Sequence, residues 1–168
     1  SARGKGLVLS VHPTAHWVRS DPVLLQAVLT NLVSNAIKYT RQGSVAVRVI
    51  DLGEELRIDV ADTGVGIRAD KHDLIFQEFV RLDASDAGTE GLGLGLAVVR
   101  RLSMLGPTPV TLLSRPGRGS CFSVRLPRLI PAGSEGLVPR HAEAAPRVAD
   151  ARPLAPPWWW TAPASASW

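Results

Sequence analysis

Apolar residues in the first 128 positions recur at two spacings, which predict helices and strands. From Leu25 onward they recur every three or four residues as far as Tyr39, which is the spacing of one face of an α-helix. Asp21 followed by Pro22 is typical of a helix start, because aspartate accepts hydrogen bonds from free backbone amides and proline fits the first helical turn. The pattern therefore predicts a long helix over 21–39.

Strict alternation of apolar and polar residues predicts the strands. Segments 44–52 and 55–60 alternate on either side of a Gly53-Glu54 turn, which indicates a hairpin. Further strands are predicted at 7–11, 110–113 and 121–126, and further helices at 70–79 and 96–105. Prolines 107 and 109 favour an edge strand or a loop before the strand at 110. Helices interspersed with hairpins predict an α/β two-layer sandwich.

The composition of the chain changes near Pro127. Proline and alanine dominate 129–168, and no periodicity persists there. We therefore predict a folded domain over 1–128 and a disordered tail over 129–168. The tail contains three adjacent tryptophans at 158–160. Either they anchor the chain to a partner, or the tail departs from the natural reading frame.

Charge and composition argue against several classes of protein. The 168 residues carry a net charge of +4, but the arginines are scattered and no aromatic residues are interleaved with them, so nucleic acid is not an expected partner. No apolar stretch is long enough to span a bilayer, so we expect no membrane contact by this segment and a cytoplasmic location, although a longer parent could be anchored. The single cysteine, Cys121, lies in an alternating segment and predicts a buried structural thiol.

One face of the predicted first helix carries polar side chains suited to a phosphate ligand. Asn31, Asn35 and Lys38 lie three or four residues apart, on a different face from the leucines. An amide oxygen is a hard ligand that suits Mg²⁺, and an ammonium group suits phosphate. Taken alone, these residues could equally form the polar outer stripe of an amphipathic helix.

Two glycine-containing motifs add to this chemistry. In DTGVGI at 62–67, the carboxylate of Asp62 could accept a hydrogen bond from an exocyclic amine such as adenine N6. In GLGLGL at 91–96, alternating glycines lead into a helix and expose backbone amides to a phosphate. This motif is no Walker loop, because no Gly-Lys-Ser/Thr follows. The alternatives are an ordinary strand-ending turn and a glycine hinge without a ligand.

The motifs together resemble those of sensor histidine kinases, in order and spacing. Segment 21–40 resembles the asparagine box of that family, and segment 62–67 resembles its first glycine box. Segment 76–81 resembles the phenylalanine box, segment 91–97 the second glycine box, and segment 114–122 the closing glycine turn. The resemblance covers about 5–128. It implies the Bergerat ATP-binding fold, in which a mixed, mostly antiparallel sheet packs on about three helices.

The resemblance also implies an activity. The domain would bind Mg-ATP and transfer the γ-phosphate to a histidine on a separate helical dimerisation domain of the same parent, with a response regulator receiver domain as an indirect partner. Asn31, Asn35 and Lys38 would be catalytic, Asn35 would hold Mg²⁺, and 80–94 would form a mobile lid. The implied ATP contacts are Asn31, Asn35, Lys38, Tyr39, Asp62, Gly64, Gly66, Ile67, Phe79, Arg81, Gly91, Leu92, Gly93, Leu94, Gly95 and Leu96.

Three rival functions remain open. ATP hydrolases of the same fold use a glutamate one turn before the metal-binding asparagine, where this chain has Asn31; an amide cannot accept a proton from water, so slow hydrolysis is expected. An anti-sigma serine kinase fits the phenylalanine-box context less well. A catalytically silent binding module is the third. None of the histidines lies in a helix typical of a phosphoacceptor, and Pro13 argues against a metal pair of His12 and His16. We therefore expect this segment alone to be catalytically incomplete.

Overall fold

The computed structural model describes residues 5–12, 14–80, 94–106 and 108–130. The elements in these ranges are strands β1 (Val8–Val11), β2 (Trp17–Val18), β3 (Ser44–Asp51), β4 (Glu55–Asp62), β5 (Val110–Arg115) and β6 (Gly119–Leu129), and helices α1 (Pro22–Tyr39) and α2 (Gly95–Leu105). Two short 3-10 turns, Ala69–Lys71 and Leu74–Phe76, follow β4. Within the described ranges, no helix is long and apolar enough to cross a membrane.

The start of α1 confirms the prediction made from Asp21 and Pro22. One carboxylate oxygen of Asp21, Oδ1, accepts hydrogen bonds from the amides of Val23 at 2.8 Å and Leu24 at 3.1 Å. These amides belong to the first helical turn and have no partner within the helix. Pro22 lacks an amide hydrogen and so leaves no donor unsatisfied there. The helix start is therefore encoded by local sequence.

The last turn of α1 is held by hydrogen bonds from two residues outside the helix. The backbone amide and the hydroxyl of Thr40 both donate to the carbonyl of Ala36, at 3.1 and 2.7 Å. The ammonium of Lys5 donates to the carbonyls of Ile37 at 3.0 Å and Lys38 at 2.9 Å. A cation at this end also complements the negative end of the helix dipole. The last turn of α1 is thereby fixed beside the following loop.

The strands form one six-stranded sheet in the order β1-β3-β4-β6, with β5 and β2 pairing with the far edge of β6. The β1–β3 pair is parallel and the other pairs are antiparallel, which confirms the mixed, mostly antiparallel sheet. β5 pairs with β6 alone among the described strands, which confirms the edge strand predicted from the prolines. β2 was not predicted, since two residues are too short to show alternation.

Both α-helices pack on one face of the sheet, which confirms the two-layer sandwich. Register places Val47 opposite Val60 and Val60 opposite Phe122, so this face is apolar across three strands. Each fully buried aliphatic side chain contributes roughly 1.5–3 kcal/mol relative to exposure. The most deeply buried members of this core are Val28, Leu32, Val45, Leu56, Val60, Val99, Val124 and Leu126.

The prediction of a single helix over 70–79 is wrong. The segment forms two separate 3-10 turns, in which the amide of His72 donates to Ala69 O and that of Gln77 to Leu74 O. Neither turn has a side-chain cap, and a segment this short is marginal as an α-helix. Ile75 is buried in the core, so packing of this side chain decides the backbone path.

The opposite face of the sheet carries a buried polar cluster around Asp59. Its carboxylate accepts hydrogen bonds from Arg48 Nε at 3.0 Å, Ser123 Oγ at 2.7 Å and Arg57 Nη2 at 3.3 Å. Cys121 lies beside this cluster and is buried, as predicted. Burial, with the negative charge of Asp59 adding to it, raises the pKa of the Cys121 thiol to about 12, so the thiol is unreactive at neutral pH.

Candidate functional site

The polar face of α1 meets the first residue of α2. A Cβ atom added to Gly95 would lie 3.1 Å from Asn31 Oδ1 and 3.5 Å from Asn35 Nδ2. A larger residue at position 95 would therefore crowd both amides. The structure brings together Asn31, Asn35 and Gly95, three residues that the sequence motifs singled out.

The side chain of Asn31 is oriented by its own helix. Its Nδ2 donates to the carbonyl of Ala27 at 2.8 Å, one turn earlier. With its nitrogen held in this way, the amide presents Oδ1 toward Gly95. Asn31 is therefore an acceptor on this face and cannot act as a general base.

The start of α2 is open to an anion. Leu94 is its N-cap and supplies no side-chain hydrogen bond, and the first turn contains no acidic residue. The first amides of a helix have no intrahelical partner and carry the positive end of the helix dipole. This end of α2, with Leu94, Gly95 and Leu96, thus offers backbone donors next to two amide side chains.

The C-terminal end of α1 borders the loop that follows β4. The ammonium of Lys38 lies 5.1 Å from the centre of the Tyr39 ring, in a cation–π arrangement. The carbonyl of Tyr39 lies against Gly64, and a Cβ there would collide with it. Glycine at 64 is therefore required by the close approach of two backbones.

Asp62 is the buried carboxyl of the site. It ends β4, is only 5% exposed, and accepts a hydrogen bond at 2.8 Å from the amide of Gly64 through Oδ1. Burial raises its pKa to about 6, although backbone hydrogen bonds from Gly64 and Ser120 act in the opposite direction. A carboxyl held in this way is a directed acceptor for a donor such as an amine.

The loop 62–67 rests on the closing glycine turn. Gly66 has φ of +68°, and a Cβ there would collide with the carbonyl of Arg115. Gly119 lies equally close to the carbonyl of Asp62. The amide of Gly117 donates to the carbonyl of Val65 at 2.7 Å. These contacts fix the loop backbone that carries Asp62, Gly64 and Gly66.

Ser114 is a supporting residue to which sequence analysis assigned no role. Its hydroxyl accepts a hydrogen bond from the amide of Ile67 at 2.7 Å and lies 3.1 Å from Gly119 O and 2.9 Å from Ser120 Oγ. It therefore joins the glycine loop to the turn that closes it. The available signal was the pair of serines that flanks the glycine turn at 114–120.

Some predicted site residues lie elsewhere or outside the described ranges. Phe79 is 69% exposed and has φ of +64°, whereas Phe76 packs edge-on against Phe122 with ring centres 6.4 Å apart. Arg81, Gly91, Leu92, Gly93 and most of the predicted lid 80–94 are outside the described residues. In the described part of the chain, no group of three or more potential metal ligands from histidine, cysteine, aspartate and glutamate occurs.

The amino-acid sequence matches known proteins over the same region. A family model described as histidine kinase-, DNA gyrase B-, and HSP90-like ATPase matches residues 20–130. The aerobic respiration control sensor protein ArcB of Escherichia coli strain K12 is 40% identical over 131 residues, which is 74% of this chain and 17% of ArcB. The chain therefore spans about a sixth of the length of that relative.

Solved structures give the same result for the fold. Full-length ShkA, crystallised in complex with AMPPNP, is 32% identical with a TM-score of 0.65, over 76% of this chain and 27% of ShkA. The mycobacterial sensor histidine kinase MprB is 25% identical with a TM-score of 0.63, over 75% of this chain and 85% of that structure. Because the family model matches well over half of its residues, this chain belongs to the histidine kinase-, DNA gyrase B- and HSP90-like ATPase family.

Proposed function

We propose that this domain binds Mg-ATP and transfers the γ-phosphate to a histidine on a separate helical domain of its parent. The observation that carries the proposal is the contact of Asn31 and Asn35 with Gly95 at the start of α2. This contact sets two amide oxygens beside a helix end suited to phosphate. The similarity to ArcB, a sensor protein, and to ShkA, solved with AMPPNP, is consistent with it.

Asp62 is the proposed acceptor for the adenine amine. Its pKa of about 6 leaves the carboxyl mostly ionised at neutral pH, and an ionised carboxyl accepts hydrogen bonds more strongly than a neutral one. Gly64, Gly66 and Ile67 form the adjoining backbone, and the two glycines allow it to pack against the carbonyls of Tyr39 and Arg115. Recognition of adenine therefore rests on a loop that other parts of the fold hold in place.

Asn35 is the proposed ligand of Mg²⁺. Its amide provides a hard oxygen next to the proposed phosphate site, as a cation that keeps several waters requires. Bound there, the cation would neutralise charge on the phosphate oxygens. Asn31 and Lys38 would support the same phosphates, and Tyr39 would border the nucleotide. Leu94, Gly95 and Leu96 would offer backbone donors, and Phe79, Arg81, Gly91, Leu92 and Gly93 remain predictions for the remaining contacts.

The transfer itself asks for positioning and charge neutralisation more than for covalent chemistry. A neutral imidazole nitrogen attacks the γ-phosphorus in line with the bond to the β-phosphate. A P–N bond forms, the P–O bond breaks, and its electron pair leaves with ADP. The imidazole, and any base that orients it, belong to the helical domain. Asn31 cannot take a proton from water, so competing hydrolysis is expected to be slow.

The domain limits and location follow as proposals. We keep 1–128 as the nucleotide-binding domain and 129–168 as the tail; β6 itself ends at Leu129. Since ATP is a cytoplasmic substrate, we place the domain in the cytoplasm, with a receiver domain as the indirect recipient of the phosphoryl group.

Phosphotransfer tests the proposal. The chain is mixed with the histidine-bearing helical domain of its parent and γ-labelled ATP. We expect acid-labile label on the helical domain, none on the chain alone, and none with Asn35→Ala. Gln26→Ala, an exposed change on the same helix, should transfer normally. Rapid release of inorganic phosphate without transfer would instead identify a hydrolase, and nucleotide binding with neither reaction a silent module.

A further inference from the structure

A second concave site shares no lining residue with the proposed nucleotide site. A cavity of about 280 Å³ opens between the N-terminal end of α1 and the C-terminal end of α2. Leu24, Leu25, Val28 and Leu102 form its apolar wall, with Asp21 and Thr108 among its polar residues. Val28, the lining residue of α1 nearest to Asn31, precedes it by three residues, which is about 4.5 Å at the helical rise. The cavity therefore begins about one helical turn from Asn31 and extends toward the start of α1.

The surface around this cavity is unusually apolar. Val23, Met104 and Leu105 come from the same two helix ends and are 72%, 71% and 70% exposed. Leu105 also lines the cavity. An exposed apolar side chain at the edge of an apolar cavity, as Leu105 is, is typical of a binding surface. An occupant that covered Leu105 would remove apolar area from water.

The cavity suits a single indole. Its volume lies just below the range of about 300–1,000 Å³ that holds drug-sized ligands, so one aromatic side chain is a better match than a cofactor. An indole has one N–H donor and no acceptor. Asp21 uses Oδ1 for both of its helix-cap hydrogen bonds, so its second oxygen keeps capacity to accept from that N–H. The hydroxyl of Thr108 is a further acceptor at the cavity.

The end of β6 lies beside the short strand that leads into this cavity. Leu129 pairs with Trp17, and the carbonyl of Pro127 accepts from the amide of Arg19 at 3.0 Å. Ser20 and Asp21, which follow Arg19, line the cavity. Because the pairing is antiparallel, β6 ends pointing away from the cavity, and the three residues from Trp17 to Ser20 span at most about 10 Å of extended chain.

We propose that this cavity is an intramolecular docking site for a tryptophan of the run at 158–160. The 27 residues 131–157 can span up to roughly 90 Å when fully extended, so the run at 158–160 can reach the cavity. Tethering through such a linker gives an effective concentration near the millimolar level, which an untethered partner rarely reaches. Tryptophan gives a large buried area at low conformational cost, and so favours docking by one or two side chains.

Hydrogen exchange on the full chain tests the proposal. We compare the parent with Trp158→Ala/Trp159→Ala/Trp160→Ala. Protection of the amides at 23–26 and 102–106 should fall by roughly tenfold in the triple variant, because local opening no longer has to release the docked side chain. The matched control is Trp168→Ala, which changes another tail tryptophan and should leave these amides unchanged. Amides of β4 report on the overall fold and should stay protected in both variants.

A second variant tests the cavity side of the contact. Leu105→Glu places a charge at the mouth of the cavity on an exposed side chain, and should release the tail so that amides at 158–160 exchange faster. Val11→Glu is the control, because Val11 is also exposed, at 62%, but lies on the edge strand β1.

Three results would overturn the docking proposal. The first is unchanged protection of the amides at 23–26 and 102–106 in the triple variant. The second is protection that weakens on dilution, which would make a second copy the occupant. The third is equal effects of Leu105→Glu and Val11→Glu on the tail. None of these bears on Mg-ATP binding, so this proposal and the proposed function fail separately.

Discussion

At the scale of single residues, Asp62 combines two opposed demands. A carboxyl that is only 5% exposed would be more stable neutral, yet an acceptor for an amine works best ionised. Backbone hydrogen bonds from Gly64 and Ser120 offset part of the burial, which leaves the pKa at about 6. Buried carboxyl groups with a perturbed pKa are concentrated at functional sites.

Replacing Asp62 with asparagine should weaken the binding of adenine nucleotides while leaving the fold intact. A hydrogen bond to a charged group is worth roughly 1.5–3 kcal/mol, so affinity for ATP should fall about ten- to a hundredfold. Calorimetric titration with ATP measures this. Asp70→Asn is the matched control, since Asp70 is exposed and pairs with Arg68 at 3.0 Å. Unchanged ATP affinity in Asp62→Asn would show that this carboxyl does not bind the base.

The same residue predicts how stability depends on pH. The pKa of Asp62 is raised from 3.8 to about 6 in the folded chain. The stabilisation by the protonated carboxyl is therefore complete below pH 3.8 and is lost as pH rises through about 6. The loss is on the order of 3 kcal/mol.

Asp62→Asn keeps a neutral group at all these pH values and should avoid the loss. Urea unfolding should show the variant gaining stability over the parent between pH 4 and pH 7.5, with little difference at the acid end. A difference between variant and parent that stays constant with pH would contradict the raised pKa.

Sequence could place Asp62 at a strand end but could not give its burial. Alternation in 55–60 followed by a glycine motif located the end of β4 to within two residues. Its environment depends on Ser120 and Gly119, which are distant in sequence and meet it only when β4 pairs with β6. The role of Ser114 could not be predicted for the same reason. Its hydroxyl accepts a hydrogen bond from the amide of Ile67, which lies far away along the chain.

At the scale of elements, the loop after β4 and the turn before β6 act as one unit. Gly66 and Gly117 have nearly the same backbone angle, with φ of +68° and +72°. A Cβ on Gly66 would strike the carbonyl of Arg115, whereas one on Gly117 would enter open space. Comparing substitutions at the two glycines therefore distinguishes the cost of a left-handed backbone, which both would have, from the cost of close packing, which only Gly66 would have.

Gly66→Ala should destabilise the chain clearly more than Gly117→Ala. Both substitutions place alanine in a left-handed conformation, which lowers the free energy of unfolding by about 1 kcal/mol. Only Gly66→Ala must also move the closing turn. Thermal unfolding of both variants measures the difference, and ATP titration should show a loss of affinity for Gly66→Ala only. Equal effects of the two substitutions would mean that the packing of loop on turn is unimportant.

Elements encoded by local sequence were predictable, and those set by packing were not. α1 and the β3–β4 hairpin have their own caps, turn residues and periodicity, and their bounds agree with prediction within two residues. The segment 70–79 was predicted as one helix but forms two 3-10 turns, and Ile75, in the second of them, is buried in the core. β2 depends wholly on its pairing with the end of β6.

At the scale of the whole molecule, the fold gathers its site from distant segments on one layer of helices and one end of the sheet. Asn31 and Asn35 come from α1, Gly95 from α2, and Asp62 from the end of β4. The apolar layer beneath holds the two helices at fixed positions, so a change in the core would alter the distance between Asn35 and Gly95. Assembly by tertiary packing explains why the order of the motifs, rather than any single motif, points to the candidate site.

Calorimetric titration of the folded chain with ATP, with and without Mg²⁺, tests the central claim most directly. We predict measurable ATP affinity that falls at least about tenfold when Mg²⁺ is chelated, the same loss in Asn35→Ala with Mg²⁺ present, and no loss in Gln26→Ala. Phosphate affinity in this account depends on the cation held beside α2. A folded chain with no magnesium-dependent nucleotide affinity would contradict it.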